Sequence, residues 1–227
     1  MEEVARELAS HLFQRLSTLS GGERLLVGIS GVPASGKSTL AQTIVDMINH
    51  SHSTNDNTEE IAILVGLDGW HLTRAQLDQF PDPKLAHDRR GAHWTFDGLS
   101  YLSFVRSLRQ PTSPDSEAIT APTFSHSIKD PTPHAISIFP THRIVVIEGL
   151  YTFLSIEPWK EAVKRHVESG VAKDWDEAVW RARENDRPNG RFIKENMLTP
   201  TRTIVSVEDP VFAPIPSERI EIPNTTC

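Results

Sequence analysis

The 227-residue sequence has one cysteine, Cys227, at its last position. A lone thiol can form neither an intramolecular disulfide nor a cysteine-based metal site, so we expect a protein of a reducing compartment. The opening residues, MEEVAREL, are acidic where a secretory signal would be basic, and no apolar run reaches membrane-spanning length. These absences predict a soluble, cytoplasmic protein with no membrane partner.

Positive charge is also scarce. The chain has 23 lysines and arginines against 30 aspartates and glutamates, which gives a formal charge of −7. This balance disfavours nucleic acid as a partner, whereas a small anionic substrate needs only local basic groups. At 227 residues with 38% hydrophobic content, we expect a single α/β domain over 1–227 with appendages.

Short apolar segments alternate with helical patterns along the chain. Leucines at helical spacing predict an N-terminal helix within 1–20, and capping patterns at Thr73 and Asp97 predict two more helices. Residues 112–140 contain AITAPTF and AISIF, which predict paired strands in a hairpin-like insertion. Buried strands are predicted for RLLVGIS, AILVGL, RIVVIEG and TIVSV. The alternation predicts an α/β fold, a mainly parallel sheet covered on both faces, with ligands beyond the carboxyl ends of its strands.

The segment GVPASGKS matches the phosphate-binding pattern G-x-x-x-x-G-K-[ST], between a predicted strand and a predicted helix. The glycines allow a tight loop whose amides face phosphate oxygens, and the following helix adds its positive end. Lys37 would neutralise phosphate charge and the Ser38 hydroxyl would bind Mg²⁺. The alternative is a glycine-rich turn without a ligand, which the flanking elements disfavour. The predicted nucleotide-binding residues of this loop are Gly31, Val32, Pro33, Ala34, Ser35, Gly36, Lys37, Ser38 and Thr39.

A nucleotide site of this kind can serve a switch, a motor or a phosphotransferase. The sequence has no Asn-Lys-x-Asp element for guanine, and IVVIEG offers one carboxylate, Glu148, where motor ATPases usually carry two acids. A small-molecule kinase instead needs a base beside the acceptor hydroxyl, an acceptor pocket, and arginines that cover the transferring phosphoryl group. This sequence contains candidates for all three.

Asp68 and Glu148 are the carboxylates that end predicted strands. Asp68 follows AILVGL, a strand that we expect beside the strand leading into the phosphate loop, and is the candidate base. An ordinary strand-ending turn at Asp68-Gly69 is the alternative. Glu148 ends a buried strand, where an unpaired carboxylate would be costly. Metal or metal-bound water accounts for Glu148, and so does pairing with a backbone or basic group.

Five segments together resemble the phosphoribulokinase and uridine kinase family: GVPASGKST, LDGWHL, RRGAHWTFD, VVIEGLY and KRHVESGVAKDWDEAVWRARENDRPNGRFI. More closely, they resemble a fungal branch of P-loop nucleoside-kinase-like proteins, related to pantothenate kinases. The resemblance implies a P-loop NTPase fold and Mg²⁺-dependent transfer of the γ-phosphoryl of ATP to a nucleoside-like metabolite, with Asp68 as base. It also implies that the acceptor contacts His71, Arg90 and His126. Local hydrogen bonding for the histidines and a solvated charge for the arginine are the alternatives.

The resemblance further implies a small helical lid, which we expect over 160–191. Its arginines would close over the phosphates, since the planar guanidinium grips phosphate oxygens with two hydrogen bonds. The candidates are Arg165, Arg183 and Arg187, and an exposed salt-bridged helix face is the alternative. The resemblance leaves a homo-oligomer open.

One family strand is missing from the sequence. Family members have a buried strand after EGLY, whereas this chain passes directly from EPWKEA to VKRHVESG. We therefore expect one core strand to be absent between Trp159 and Arg165, with reduced stability. Either a helix packs Trp159, Val163 and Val167 into the gap, or the sequence is a truncated variant. This absence keeps a second function open, a nucleotide-binding protein or slow ATP hydrolase without kinase activity.

Overall fold

The computed structural model describes residues 1–33, 35–53, 59–125, 127–156 and 187–206. A three-stranded parallel sheet, in the order β1, β5, β2, lies at its centre, and β3 and β4 form a separate antiparallel hairpin. Short 3-10 turns follow β2 and precede α5. In chain order, the helices and strands are α1 (Glu2–Leu16), β1 (Leu25–Ile29), α2 (Lys37–His52), β2 (Ala62–Gly66), α3 (Arg74–Leu77), α4 (Pro83–Asp88), α5 (Gly98–Leu108), β3 (Ile119–Ser125), β4 (Asp130–Ile138), β5 (Ile144–Glu148) and α6 (Arg187–Asn196).

Strand β5 is central because both of its faces are apolar. Its first four residues are fully buried, and alternate side chains enter opposite cores. Ile144 and Val146 pack with α1 and α2, whereas Val145 and Ile147 pack with α5 and the hairpin. The predicted three-layer α/β/α arrangement with a mainly parallel sheet is confirmed.

The strand order differs from the predicted order. We expected the strand before Asp68 to lie beside the strand before the phosphate loop, but β5 separates them and pairs in parallel with both. The register places Glu148 level with Ile29 of β1 and Gly66 of β2. All three strands end at this level. The phosphate loop, Glu148 and the turn that carries Asp68 therefore start from one edge of the sheet.

Local sequence signals position several helices. Thr73 and Gln76 form a reciprocal capping box at the start of α3, and Asp97 caps α5, as their spacing predicts. The proline-rich stretch after α3 starts α4, since Asp82 caps that helix and Pro83 fits its first turn. No helix among the described residues is both long and apolar enough to cross a membrane.

The segments AITAPTF and AISIF pair as antiparallel strands, as predicted. The pairing runs from Ile119 opposite Ile138 to Ser125 opposite Asp130, with an irregularity near Pro122. Buried residues of both strands join the core beneath α5. The hairpin therefore packs over the same edge region of the sheet as the turn after β2.

Pro188–Gly190 lies within α6. One expectation for the end of the chain is wrong. The predicted strand TIVSV is not formed over the described residues 203–206, where Val205 is 79% exposed. The region in which we expect a missing strand, between Trp159 and Arg165, lies outside the described residues.

Candidate active site

The phosphate-binding pattern forms the loop between β1 and α2. Gly36 has φ +80°, a left-handed conformation that favours glycine, and it directly precedes Lys37, the first residue of α2. The first amides of a helix have no carbonyl of a preceding turn to bind, so this end of α2 can receive phosphate oxygens. Ala34 lies outside the described residues. The other predicted residues, up to Thr39, occupy this loop and the first turn of α2.

Lys37 brings a buried positive group to the site. Its residue is only 2% exposed, and its Nζ lies 3.5 Å from the Val32 carbonyl oxygen, at the long limit of a hydrogen bond. Burial lowers the pKa of Lys37 to about 6, while the negative charges of Glu148 and Asp68 act in the opposite direction. Lys37 of the phosphate loop is therefore close enough to Glu148 and Asp68 for both carboxylates to act on its charge.

Glu148 carries an unsatisfied oxygen at the end of β5. Its Oε2 is buried and, in the part of the chain that the structure describes, has no hydrogen-bond partner. Burial, and secondly the charge of Asp68, raises the pKa of Glu148 to about 7, against the opposing effects of Lys37 and a hydrogen bond with Ser38. A buried carboxylate oxygen without a partner is costly unless a ligand satisfies it. Glu148 therefore has the character expected of a metal-binding group.

Asp68 lies just beyond β2, in the 3-10 turn Leu67–Trp70. The turn is anchored because Leu67 and Trp70 are buried in the core, whereas the Asp68 side chain is 34% exposed. A cleft of about 250 Å³ opens beside this side chain. Its lining residues are Ser38, Gly66, Asp68, Gly69, Thr123, Phe124 and Glu148. The predicted base and both predicted metal-binding residues thus border one cleft.

Thr123 and Phe124 of the hairpin were missed by the sequence predictions. They form part of the cleft wall contributed by β3. The segment TFSHS was singled out only for His126, which lies outside the described residues. An aromatic residue within a predicted strand was the available signal, but the pattern did not fix the register that turns Phe124 toward the cleft.

His71 lies behind the cleft wall. Its ring is between Phe96 and Phe124, with centroid distances of 4.0 and 4.7 Å. Its Nδ1 lies 2.9 Å from the Asp68 carbonyl oxygen, and because a carbonyl only accepts, Nδ1 carries the proton. His71 therefore braces both the Asp68 turn and the aromatic wall. Its contact with an acceptor stays a prediction.

Arg90 also supports the wall from behind. Its guanidinium donates to the Leu72 carbonyl at 2.6 Å and to the Lys129 carbonyl, and it lies 3.3 Å from Asp130. The same group lies over Phe124, 5.3 Å from the ring centroid. These contacts join the hairpin to the segment after α4. Direct contact between Arg90 and an acceptor stays a prediction.

The predicted lid is described only at its end. Arg165 and Arg183 lie outside the described residues, whereas Arg187 is the first residue of α6. Gly190, in the first turns of α6, packs on the phosphate loop: a β-carbon added there would lie 3.2 Å from Val32 Cγ1. The described end of the predicted lid, at the start of α6, is therefore next to the phosphate loop.

Comparison with known proteins identifies the family to which this chain belongs. The model of the phosphoribulokinase / uridine kinase family matches residues 26–184. This chain belongs to that family. "Putative uridine kinase C227.14" of Schizosaccharomyces pombe is 35% identical over 199 residues, which cover 78% of this chain and 81% of that protein. "ATP-dependent kinase-like protein notR'" of Aspergillus versicolor is 39% identical over 153 residues, which cover 58% of this chain and 89% of that one.

A solved structure supports the fold of the phosphoribulokinase and uridine kinase family. YFH7 from Saccharomyces cerevisiae has a TM-score of 0.69 to this chain, covering 87% of this chain and 97% of that one. The identity is 24%, so this likeness concerns the fold. The resemblance drawn from the motifs is confirmed, and family membership implies that ATP binds at the phosphate loop.

The described residues of the cleft and the phosphate loop fit a nucleoside triphosphate with Mg²⁺. The start of α2 suits phosphate oxygens, and the Ser38 hydroxyl and the unpartnered Glu148 oxygen are ligands that a hard cation prefers. Among the described residues, no group of three or more His, Cys, Asp or Glu could hold a metal alone. Mg²⁺ would take its other ligands from phosphates and water, as it usually does.

Proposed function

We propose that this protein is a Mg²⁺-dependent kinase that transfers the γ-phosphoryl of ATP to a hydroxyl of a small, nucleoside-like metabolite. One observation carries the proposal: the candidate base Asp68 shares a cleft with Ser38 and Glu148 on one side and the hairpin residues Thr123 and Phe124 on the other. The cleft therefore has a phosphate end and a separate wall for an acceptor. Its volume of about 250 Å³ lies just below the range usual for small-molecule sites, which limits the acceptor to a small compound.

Asp68 is the base in the proposed reaction. Its carboxylate accepts the proton of the acceptor hydroxyl while the hydroxyl oxygen bonds to the γ-phosphorus and the bond to the β–γ bridging oxygen breaks. The products are the phosphorylated acceptor and ADP. The partial exposure of Asp68 leaves its oxygens open to the cleft, and the Nδ1–H of His71 holds the turn through the Asp68 carbonyl.

The phosphate end stabilises charge during transfer. Lys37 and the amides at the start of α2 are positioned to bind phosphate oxygens on which negative charge is concentrated. Ser38 and Glu148 would hold Mg²⁺, which supplies charge neutralisation at the β- and γ-phosphates. Thr123 and Phe124 line the cleft and supply a hydroxyl and an aromatic side chain as contacts for a nucleoside-like acceptor. A cytoplasmic location, expected from the single cysteine, agrees with such an enzyme.

A second candidate is a nucleotide-binding protein that hydrolyses ATP slowly without an acceptor. The partial exposure of β1 favours this candidate. All five residues of this strand are partly exposed, although the strand leads into the phosphate loop. Among the described residues, β1 pairs only with β5.

Acceptor-dependent ADP release separates the two candidates. Release is measured with ATP and Mg²⁺ alone, and then with nucleosides, pantothenate or sugars added. A kinase is expected to be stimulated about tenfold or more by one class of acceptor, with one phosphorylated product per ADP. A slow hydrolase gives the same low rate with every compound. Lys37→Ala, expected to lose nucleotide binding, controls for contaminating kinases.

A further inference from the structure

Helix α6 contacts the phosphate loop and a segment that supports the cleft wall. Asn189 Nδ2 donates to the Gly91 carbonyl oxygen at 3.3 Å, across 98 positions of sequence. The next residue, Gly190, packs against Val32 of the phosphate loop, where an added β-carbon would lie 3.2 Å from Cγ1. One helix therefore touches the phosphate loop and the segment Arg90–His93.

The Gly91 carbonyl oxygen accepts two hydrogen bonds, one from Asn189 of α6 and one from Tyr151. Gly91 has φ +106°, which side chains rarely adopt, and its carbonyl also accepts from the buried Tyr151 hydroxyl at 2.7 Å. Two residues further on, His93 stacks on Phe192 of α6, with centroids 4.5 Å apart and planes 8° apart. Burial lowers the pKa of His93, so its ring is neutral near pH 7 and stacks as an uncharged aromatic group.

The segment Arg90–His93 connects these contacts to the acceptor wall. Arg90, at its start, lies over the Phe124 ring and donates to the hairpin carbonyl of Lys129. Phe124 lines the cleft. A shift of the segment would therefore move the guanidinium that supports this wall, although the segment itself is not among the cleft-lining residues.

We propose that Asn189 and Phe192 are positioning residues that hold the segment Arg90–His93, and through Arg90 the Phe124 wall, in place for the acceptor. The acceptor part of this proposal rests on the proposed kinase function. The mechanical part does not, because it concerns contacts that exist without any reaction. Neither residue is among those that line the cleft, so each acts through others.

Hydrogen–deuterium exchange of the full chain tests the mechanical part. Asn189→Ala removes the bond to Gly91, and Asn196→Ala is a matched control because its amide donates to the Phe192 carbonyl within the same helix, at 2.9 Å. Amides of residues 90–95 are expected to exchange about threefold faster or more in Asn189→Ala, and at the wild-type rate in Asn196→Ala. Wild-type exchange over 90–95 in Asn189→Ala would overturn the proposal, whether or not the protein is a kinase.

Steady-state kinetics test the acceptor part. With an acceptor that the wild type phosphorylates, the acceptor KM is expected to rise about three- to tenfold in Asn189→Ala and in Phe192→Leu, with kcat within about twofold. A reduced kcat at unchanged acceptor KM would contradict a positioning role. If the wild type phosphorylates none of the nucleosides, pantothenate or sugars, the proposed function fails. The hydrogen–deuterium exchange measurement then decides this inference by itself.

Discussion

Gly69 and Pro122 approach so closely that a β-carbon added at Gly69 would lie 2.3 Å from the Pro122 carbonyl oxygen. Gly69 directly follows the candidate base Asp68, and Pro122 directly precedes Thr123, a residue of the cleft wall. The missing side chain at Gly69 therefore sets how closely the hairpin can approach the base. No ordinary side chain fits in this contact, since the clashing atom belongs to the backbone.

Gly69→Ala should push the hairpin away from Asp68. We expect the acceptor KM to rise on the order of 10- to 100-fold, because a displacement of about 1 Å has effects of this size, while ATP affinity stays near wild type. The matched control is Gly21→Ala, where an added β-carbon meets nothing within 4 Å. An unchanged acceptor KM in Gly69→Ala would show that the hairpin does not form the acceptor wall.

Asp130 offers a way to test how Arg90 acts. Its carboxylate binds Arg74 at 2.9 Å and lies 3.3 Å from Arg90, which ties the start of β4 to the acceptor side. If Arg90 acts by supporting the hairpin, Asp130→Ala and Arg90→Lys should each raise the acceptor KM about three- to tenfold. The double variant should then be little worse than the stronger single variant, since both changes loosen one network.

The opposite result would assign Arg90 a direct role. Direct contact with the acceptor predicts a much larger loss in Arg90→Lys than in Asp130→Ala, with effects that multiply in the double variant. Steady-state kinetics of the three variants distinguish the two roles.

Sequence patterns singled out Ser38, Asp68 and Glu148, which line the candidate site, because the segments that carry them are fixed locally. The spacing of GVPASGKS determines a loop before a helix, and the apolar runs before Asp68 and Glu148 determine that both follow strands. The order of those strands is not local information. β2 and β5 are both short apolar runs, and β5 becomes central through packing on both faces, which no pattern in either run specifies.

The missed features have similar causes. Thr123 and Phe124 line the cleft through the pairing register of β3 with β4 and through the close approach of Pro122 to Gly69, and both are relationships between segments distant in the sequence. Helix α6 contains Pro188 and Gly190, which locally disfavour a helix. It forms nonetheless, with Ile193 buried in the core.

The lowered pKa of Lys37 should make nucleotide binding depend on pH. Its value of about 6 means that the free protein has an uncharged amine at higher pH, whereas bound phosphate stabilises the ammonium form. Binding therefore takes up a proton, and the Kd for ATP without Mg²⁺ should rise by up to about tenfold per pH unit between roughly pH 7 and 8.5. Lys37→Arg, which stays charged, should flatten this slope. A wild-type Kd that is constant over this range would refute the shifted pKa.

The free energy of unfolding should fall as the pH rises because of Glu148. Its pKa moves from about 4.5 to about 7 on folding, so the folded state keeps a proton that the unfolded state releases. The contribution of Glu148 therefore becomes steadily less favourable from pH 4.5 to 7. Glu148→Gln should gain on the order of 1–3 kcal/mol of unfolding free energy relative to wild type across this range.

Urea unfolding at several pH values measures this change. Glu117→Gln, at an exposed position, is the control for a lost surface carboxylate. A difference between Glu148→Gln and wild type that does not vary with pH would mean that Glu148 ionises normally in the folded protein.

The central claim is that Asp68 accepts the proton of an acceptor hydroxyl during phosphoryl transfer. The most direct measurement is the single-turnover rate of γ-phosphoryl transfer from ATP to an active acceptor, for wild type, Asp68→Asn and Asp97→Asn. Asp97 caps α5, a role in which asparagine serves equally well, so Asp97→Asn should match wild type. We expect Asp68→Asn to lose about 10²- to 10⁴-fold in transfer rate while its ATP Kd stays within about twofold. Transfer at the wild-type rate by Asp68→Asn, with ATP bound normally, would contradict the account.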